Sequence, residues 1–515
     1  MRVRYLRGLL FTVLLLPLSL LAQPRFDASE RPSLVLVVVV DQFRYDYLYR
    51  AGFEFEAGLR RLLDEGAVLT NANYEAAPTV TAIGHSTIGT GALPAQSGIA
   101  GNTWYSRAED RNVQSITDST VTPLGGGSSG ASPRRLLVST LADELKASGH
   151  GGKAFGVSLK DRSAVLPVGH TADGAFWFDG SSGNMVSSSW YFPALPAWVE
   201  DFNAERPADA YADQVNAAQG RTVPGSEQRY RALDATPLAD QVILDFALRL
   251  LEAEALGQGE GTDFLSVSFS AMDYLGHASG PHTADMDAMI ASIDAKVGTL
   301  LAAAEASAGS GQVLVVFTAD HGVSPVPERN SEQQLPGGRY DGAAEQGAVE
   351  AALEAAFGVG DFIAGMGEYS YYFNTDPVSG KTIARSELEA VAAQALRGMP
   401  HVYRVYTRSD FERGYVGSDR IDQRMRNGFN AANSGDVIVV HEPYWLGGSG
   451  GTTHGSPFSY DTHVPLIFWG PDALVKPGRY HQDAAINDIA ATLATMLNVA
   501  TPSGSVGRVL AEIIP

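Results

Sequence analysis

The chain has 515 residues and contains no cysteine. This absence excludes disulfide bonds, thiolate ligands for zinc, a cysteine nucleophile and a lipid-modified N-terminal cysteine. If such a chain is exported, its stability must come from its hydrophobic core and from any bound metal ions. The length is sufficient for a large core.

Long apolar runs are also missing after the first 22 residues, so no later segment is predicted to cross a membrane. Residues 1–22 contain Arg2, Arg4 and Arg7, then an apolar stretch over 9–16, then Ser-Leu-Leu-Ala at 19–22. This order is typical of a secretory signal peptide, and the apolar stretch is short for a membrane anchor. We therefore expect a periplasmic or secreted protein with no membrane anchor once residues 1–22 are removed.

Positive charge is scarce in this chain. The sequence has 37 Lys and Arg against 58 Asp and Glu, which gives a formal net charge of −21. A protein this acidic is not expected to bind nucleic acid through its surface. An anionic substrate would need a local positive site, such as a metal ion.

The chain does contain a repeated pattern in which an apolar run leads to an aspartate. Short runs rich in valine predict strands that are buried on both faces of a parallel sheet. The runs and the polar residues after them are 34–40 before Asp41, 263–269 before Asp273 and His277, and 313–318 before Asp320 and His321. In open α/β sheets, ligands bind beyond the carboxyl ends of the strands. Three carboxylates and two imidazoles at one edge predict a metal site with room for two ions.

Strand and helix signals alternate along the chain. This alternation predicts an α/β fold, a three-layer α/β/α sandwich around a mostly parallel central sheet. Helices are expected over 240–256 and 283–304, and a late strand over 464–469. Residues 171–235 and 330–430 interrupt the alternation and are interpreted as insertions that cap the active edge of the sheet. After the signal peptide, residues 23–515 are expected to form a single catalytic domain.

Two spacings strengthen the predicted metal site. Asp273 and His277 are four residues apart, so they share one helical face and can bind one ion. Asp320 and His321 directly follow a buried strand, where ionisable side chains are costly unless they are paired or metal-bound. These four residues are therefore better ligand candidates than an isolated Asp-His pair.

The other histidines differ in how well the sequence supports them. His454 lies in a glycine-flanked loop, Gly-Thr-Thr-His-Gly at 451–455, and can reach into a site that bulkier neighbours would block. Its rival His463 begins a strand and is interpreted as a packing or orienting residue. The rest are not assigned as ligands: three are interpreted as structural or supporting residues (His85, His170 and His282), and four have no supporting pattern (His150, His401, His441 and His481).

Two further segments offer a hydroxyl and two cations. Residues 78–87, Pro-Thr-Val-Thr-Ala-Ile-Gly-His-Ser-Thr, are typical of a loop that leads into a helix. A hydroxyl at a helix N-terminus lies where the dipole and free amides favour an anion, but a threonine there can also be only a cap. Lys160-Asp161-Arg162 is either a solvated turn or, beside metals, a phosphate-binding group.

Together these motifs resemble the alkaline phosphatase superfamily. Within it, the chain is most similar to the phosphate-irrepressible bacterial alkaline phosphatases, which are sequence relatives of the nucleotide pyrophosphatase/phosphodiesterases. The resemblance runs from about residue 33 to the C-terminus, apart from the insertions, and its motifs occur in the right order. They are Asp41 and the segments 78–85, 98–102, 158–162, 273–277, 319–322 and 453–455. One departure is Ile83, where many relatives have proline, but it removes no catalytic group.

The resemblance implies two zinc ions per chain. The implied ligands are Asp273, His277 and His454 for one ion, and Asp41, Asp320 and His321 for the other, which also touches Thr81. All are oxygen or nitrogen donors, which suit zinc without excluding manganese or cobalt.

The resemblance also implies the groups that act on phosphate. Thr81 would be the nucleophile, and Asn102, Lys160 and Arg162 would contact the phosphate oxygens. A threonine hydroxyl is a poor nucleophile until a metal lowers its pKa, and two metals roughly 4 Å apart can stabilise both the attacking and the departing oxygen. The implied reaction passes through a phosphothreonine intermediate.

The sequence thus predicts an exported, zinc-dependent alkaline phosphatase that releases inorganic phosphate from small phosphate monoesters. A phosphodiesterase or nucleotide pyrophosphatase on the same scaffold is the first alternative, and Lys160 and Arg162 argue against it because a dianionic phosphoryl group needs more positive charge. A sulfatase would need a cysteine or a Ser-x-Pro-x-Arg segment, and neither is present. A metal-stabilised binding protein without catalysis is disfavoured by Thr81 and the complete ligand set.

Overall fold

The structure is a computed structural model that describes residues 31–50, 54–127, 129–221, 226–374 and 376–515. The predicted signal peptide, residues 1–22, lies outside the described residues. Within these ranges, no helix has both the length and the apolar character needed to span a membrane.

The strands of the described residues are numbered here in chain order. They are β1 Leu34–Val40, β2 Ala67–Leu69, β3 Ala72–Asn73, β4 Thr103–Ser106, β5 Arg111–Gln114, β6 Pro123–Leu124, β7 Gly151–Ser158, β8 Gly174–Asp179, β9 Asn184–Ser188, β10 Thr262–Phe269, β11 Val313–Thr318, β12 Gly338–Arg339, β13 Ile363–Gly367, β14 Ser370–Phe373, β15 Val402–Thr407, β16 Val437–His441, β17 Trp445–Leu446, β18 Leu466–Trp469, β19 Gly478–Tyr480 and β20 Ala484–Ala485.

The α-helices are numbered in the same way. They are α1 Gly58–Glu65, α2 Thr81–Thr90, α3 Pro94–Ser97, α4 Leu141–Ala147, α5 Asp161–Val165, α6 Ala197–Glu205, α7 Pro207–Ala218, α8 Ser226–Arg231, α9 Pro237–Ala253, α10 Ala271–Ser279, α11 Ala284–Ala308, α12 Pro327–Glu332, α13 Gly342–Phe357, α14 Arg385–Arg397, α15 Arg408–Arg413, α16 Arg420–Gly428, α17 Ser459–Thr462 and α18 Asp488–Leu497. Short 3-10 helices cover Tyr45–Tyr49 and Ala511–Ile513.

A large sheet forms the centre of the molecule, with strand order β19-β2-β18-β11-β1-β10-β7-β8-β9-β6. Its middle strands, from β11 to β8, are parallel to one another, and the next strands outward, β18 and β9, are antiparallel to them. β1, β10 and β11 are buried along their whole length, which explains why their sequences are almost continuously apolar. The predicted α/β fold with a mostly parallel central sheet is confirmed.

The register of these strands brings the three aspartate-bearing segments to one edge. Val40 at the end of β1 pairs with Phe269 of β10, and Val39 pairs with Thr318 of β11. The three strands therefore end at nearly the same level. The residues that follow them emerge side by side, as the sequence pattern predicts.

Helices pack on the sheet in two groups. α9 and α11 pack against each other and contact β10 and β1, respectively, while α4 and α5 contact β7. α9 begins three residues earlier than predicted, because Pro237 in its first turn needs no hydrogen-bond acceptor. α11 begins after Thr283, whose hydroxyl accepts a hydrogen bond from the Met286 amide, and it runs on to Ala308 before Gly309.

The two predicted insertions take different forms. Within residues 171–235, β8 and β9 belong to the central sheet, and only the part after them forms the separate helices α6 to α8. Most of a second sheet, with order β13-β14-β16-β15, lies within 330–430, but its strand β16 comes later. This sheet and the helices α13 and α14 share their own hydrophobic cluster. The division into one domain with two insertions stays a prediction.

Candidate active site

Three buried aspartates lie beyond the carboxyl ends of the central strands. Asp41 and Asp320 follow β1 and β11 closely, and Asp273 lies in the first turn of α10. Asp240 holds the start of α10, because its Oδ1 accepts hydrogen bonds from the amides of Ser270 (2.9 Å) and Ala271 (3.1 Å). The strand ends and the start of α10 therefore place the three carboxylates at one edge of the sheet.

Asp273 is surrounded by two histidines. Its Oδ1 lies 3.2 Å from His277 Nε2 and 3.6 Å from His454 Nε2, and one potential ligand atom from each of the three residues lies within 4.8 Å of the others. The loop that carries His454 passes close to His277: a Cβ on Gly451, which has φ +64°, would lie 2.2 Å from the His277 carbonyl oxygen. The structure therefore brings together the three residues implied as one metal site.

A second group lies around His321. Its Nε2 is 3.5 Å from Asp41 Oδ1 and 3.6 Å from Asp320 Oδ2. The group whose ligand atoms all lie within 4.8 Å of one another consists of Asp41, Asp273 and His321. Asp273 therefore adjoins both groups, whereas the resemblance implied Asp320 as the third member here.

The three histidines present the same ring nitrogen to the carboxylates. Nδ1 donates to a backbone carbonyl in each case: His277 to Thr452 (2.9 Å), His321 to Gly322 (3.0 Å) and His454 to Thr79 (2.8 Å). These bonds fix the tautomer and orient Nε2 toward the carboxylates, as is usual for metal-bound histidine. Burial lowers the pKa of His321 and of His454, so both imidazoles are neutral and able to bind a metal.

The cluster contains more negative charge than its own cation can balance. Lys160 Nζ lies 2.6 Å from Asp41 Oδ2 and 2.6 Å from Asp273 Oδ2. Burial and the nearby Asp41 carboxylate raise the pKa of Asp320 well above its usual range, and Asp320 Oδ2 accepts no hydrogen bond from the described residues. Buried carboxylates are stable when they are paired or bind metal. The donor set and the charge deficit both fit divalent cations.

Thr81 lies beside this cluster at the start of α2. It is buried, and its Oγ1 is 3.5 Å from His321 Nε2. α2 approaches the cluster closely because residue 84 is glycine: a Cβ there would lie 2.3 Å from the Asp320 carbonyl oxygen. Val80 occupies the cap position, so Thr81 is not the helix cap. Its hydroxyl lies where free helix amides favour an anion.

The three predicted phosphate contacts occupy different positions. Asn102 Oδ1 accepts a hydrogen bond from the Ala82 amide (2.9 Å), which leaves its Nδ2 hydrogens for another partner near Thr81. Lys160 lies between Asp41 and Asp273, inside the cluster. Arg162 is half-buried in α5, and its Nε finds no hydrogen-bond partner among the described residues.

The remaining histidines of interest lie outside the ligand groups. His463 stacks on Tyr45 with ring centroids 4.2 Å apart, and its Nε2 is 3.1 Å from the Thr70 carbonyl oxygen. It therefore packs, as the sequence interpretation expected. His85 contacts one of the clustered carboxylates, with its Nε2 3.5 Å from Asp320 Oδ2.

Sequence reasoning missed Gln42. Its backbone amide donates to Asp320 Oδ1 (3.1 Å), and its Nε2 donates to Asp273 Oδ1 (2.5 Å). Gln42 thus links the carboxylate that follows β11 to the one in the first turn of α10, and its own backbone is left-handed with φ +67°. The available signal was its position next to Asp41, but a glutamine alone suggests no such role. Gly276 lies opposite it, and a Cβ there would lie 1.7 Å from Gln42 Oε1, so a larger residue would displace the Gln42 side chain.

We expect Gln42→Ala to weaken binding of a divalent metal such as zinc by about 10- to 100-fold, because Asp273 loses the donor that orients it. Competition with a coloured chelator measures this affinity. The control is Gln96→Ala, which removes an exposed glutamine in α3. An unchanged zinc affinity in Gln42→Ala would show that Gln42 supports only the fold.

Comparison with known proteins agrees with this arrangement. Residues 35–457 match the family model of type I phosphodiesterase/nucleotide pyrophosphatase. The chain is 34% identical to a calcium-transporting ATPase of Myroides odoratus, over 95% of this chain and 96% of that protein. It is 33% identical to the alkaline phosphatase PhoV of Synechococcus elongatus, over 94% of this chain and 93% of that one.

A solved structure supports the fold directly. The chain is 31% identical to the alkaline phosphatase PafA of Elizabethkingia meningoseptica, over 96% of this chain and 97% of that protein. The crystal structure of wild-type PafA superposes with a TM-score of 0.87, covering 94% of this chain and 99% of that chain. The chain therefore belongs to the type I phosphodiesterase/nucleotide pyrophosphatase family, in the alkaline phosphatase superfamily, and is a metal-dependent hydrolase with the fold of PafA.

Proposed function

We propose that this protein is an exported alkaline phosphatase that hydrolyses phosphate monoesters with two zinc ions and a phosphothreonine intermediate. The observation that carries the proposal is the position of Thr81, whose Oγ1 lies 3.5 Å from His321 Nε2 at a helix N-terminus beside buried carboxylates. The relatives named alkaline phosphatases support the monoesterase assignment. Export rests on the signal peptide predicted over residues 1–22.

The proposed metal ligands are those of the two groups around Asp273 and His321. Asp273, His277 and His454 would hold one ion, and Asp41, Asp320 and His321 the other, with Asp273 close to both. When bound, such ions act as Lewis acids and lower the pKa of coordinated oxygens.

The other proposed roles belong to groups that surround Thr81. Thr81 Oγ1 attacks phosphorus and gives up its proton, the ester P–O bond breaks, and the departing oxygen takes up a proton and leaves as the alcohol. Asn102, which the Ala82 amide orients, and the cations Lys160 and Arg162 stabilise the charge that develops on the phosphoryl oxygens. Water then cleaves the Thr81 ester and releases inorganic phosphate.

Diester hydrolysis is the alternative, because the matching family model is described as a phosphodiesterase. A diester carries one negative charge fewer and an additional substituent. The two cations proposed to contact the phosphoryl oxygens, Lys160 and Arg162, favour the more highly charged monoester. ATP, which the name of the Myroides relative suggests, belongs among the test substrates because it is also an anionic phosphate compound.

We expect Lys160→Ala and Arg162→Ala to reduce hydrolysis of 4-nitrophenyl phosphate far more than hydrolysis of methyl 4-nitrophenyl phosphate. The reason is that these cations balance the extra charge of the monoester. The measurement is kcat/KM for both substrates on protein of known zinc content, since Lys160 also touches two proposed ligands.

Lys153→Ala is the matched control for these variants. Lys153 lies on β7, the strand that leads to Lys160, but its side chain pairs with Glu254 outside the site. Equal losses on the two substrates, with zinc retained, would assign Lys160 and Arg162 to general binding. Higher wild-type kcat/KM for the diester would favour the phosphodiesterase alternative.

A further inference from the structure

A cavity lies between the loop after His454 and strand β16 of the second sheet. Its volume is about 40 Å³, and it opens to solvent on one side. One wall includes Ala77 and Pro78, which lead to Thr81, and another includes His454. We call it the aromatic cavity, because its lining includes the rings of Tyr369, Trp445, Phe458 and Tyr460.

The charged groups in this lining are of one sign. Three carboxylates, from Glu368, Glu442 and Asp461, line the cavity, and no lysine or arginine is among the described residues that do so. Glu442 is already partnered, with its Oε2 3.0 Å from His401 Nδ1. Glu368 is attracted by Arg162, which leaves Asp461 as the lining carboxylate with an oxygen that accepts no hydrogen bond from the described residues.

Asp461 is the group that points to a ligand. It is 0% exposed, and its Oδ2 accepts hydrogen bonds from the amide (2.8 Å) and the hydroxyl (2.5 Å) of Ser456. Its Oδ1 has no hydrogen-bond partner among the described residues, and burial raises its pKa to about 7. An unpaired buried carboxylate is unfavourable unless a donor or a cation completes it.

The surrounding surface indicates which kind of cation fits. A bare metal ion needs several oxygen or nitrogen ligands at once, and the groups of described residues that could supply them lie around Asp273. A neutral apolar group would leave Asp461 Oδ1 without a partner. An organic ammonium ion fits both the aromatic lining and the unpaired oxygen of Asp461, because aromatic faces and a carboxylate together bind such cations.

The aromatic cavity adjoins the groups proposed to bind phosphate. Tyr369 in its wall donates a hydrogen bond to the His454 carbonyl oxygen (2.8 Å). Glu368 accepts a hydrogen bond from the Asn102 amide and lies close enough to Arg162 for attraction between their charges. A ligand that spans both places would carry a phosphate at one end and a cation at the other.

We propose that the aromatic cavity holds the ammonium group of an amino-alcohol phosphate while the phosphate lies at Thr81. This inference rests on the proposed function and specifies its substrate class. Hydrolysis breaks the ester P–O bond, and water supplies a hydroxyl to phosphorus and a proton to the departing amino alcohol. No other reactant is needed.

The test compares phosphocholine with 3,3-dimethylbutyl phosphate, a neutral isostere in which carbon replaces the charged nitrogen. We expect the wild-type zinc enzyme to show a kcat/KM about tenfold higher for phosphocholine, mainly through a lower KM. Asp461→Asn should abolish this preference while hydrolysis of the neutral ester continues. Phe458→Leu, which removes an aromatic face, should reduce the preference and provides a second variant if Asp461→Asn does not fold.

Each outcome separates this inference from the proposed function. Hydrolysis of both esters with equal kcat/KM would overturn the cation site but leave the phosphatase proposal intact. Hydrolysis of neither ester nor of 4-nitrophenyl phosphate would overturn the phosphatase proposal itself. Free choline should inhibit hydrolysis of phosphocholine more strongly than the neutral alcohol 3,3-dimethylbutanol does, and equal inhibition by the two alcohols would reject the cation site.

Discussion

A strong chelator is expected to abolish hydrolysis and to lower the melting temperature of the protein, and added zinc should restore both. All proposed ligands are Asp or His side chains, so metal binding depends on the folded arrangement. Without metal, Lys160 is the one lysine or arginine among the described residues that forms an ion pair with Asp41 and Asp273. Metal analysis of the active protein should find about two transition-metal ions per chain.

Two histidine variants make this metal test specific. His454→Gln should lose one ion and most of the activity, because His454 Nε2 lies beside Asp273. His463→Gln is the matched control and should keep both ions, since His463 packs on Tyr45. Full activity with a single bound ion would contradict the two-metal proposal.

The positions of the three aspartates could be predicted from sequence because each follows a buried parallel strand. A valine-rich run of seven residues, such as 34–40, leaves few alternatives to a strand inside the sheet. Parallel neighbours then place their carboxyl ends together, and Asp41 and Asp320 follow directly. Element boundaries were less certain, because they depend on single residues such as Pro237 and Thr283.

Contacts between distant segments could not be predicted in this way. Gln42 reaches Asp273 across 231 positions of sequence, and nothing in its own neighbourhood signals that contact. His441 showed no supporting pattern in the sequence, yet its Nε2 lies 3.0 Å from Glu345 Oε1, 96 positions away. The role of Asp461 could not be predicted either, because only the structure shows that its Oδ1 lacks a hydrogen-bond partner and that it lines the aromatic cavity.

Replacing Thr81 by alanine is expected to reduce turnover by about 100-fold or more while fold and metal content are kept. The reason is that water would have to replace a nucleophile held at the start of α2. Thr81→Ser should keep substantial activity, because it preserves the hydroxyl. Thr87→Ala is the matched control: Thr87 is buried in the same helix, and its hydroxyl has no hydrogen-bond partner among the described residues.

The stereochemistry at phosphorus tests the covalent step independently of any variant. Attack by Thr81 and then by water are two in-line displacements, each of which inverts the phosphorus centre. A chiral phosphate ester transferred to an acceptor alcohol should therefore react with net retention. A purely structural Thr81 would give another pattern, in which Thr81→Ala lowers the free energy of unfolding and leaves turnover nearly unchanged. Net inversion at phosphorus, or nearly unchanged turnover in Thr81→Ala, would exclude Thr81 as the nucleophile. Direct attack by water would then be the remaining route.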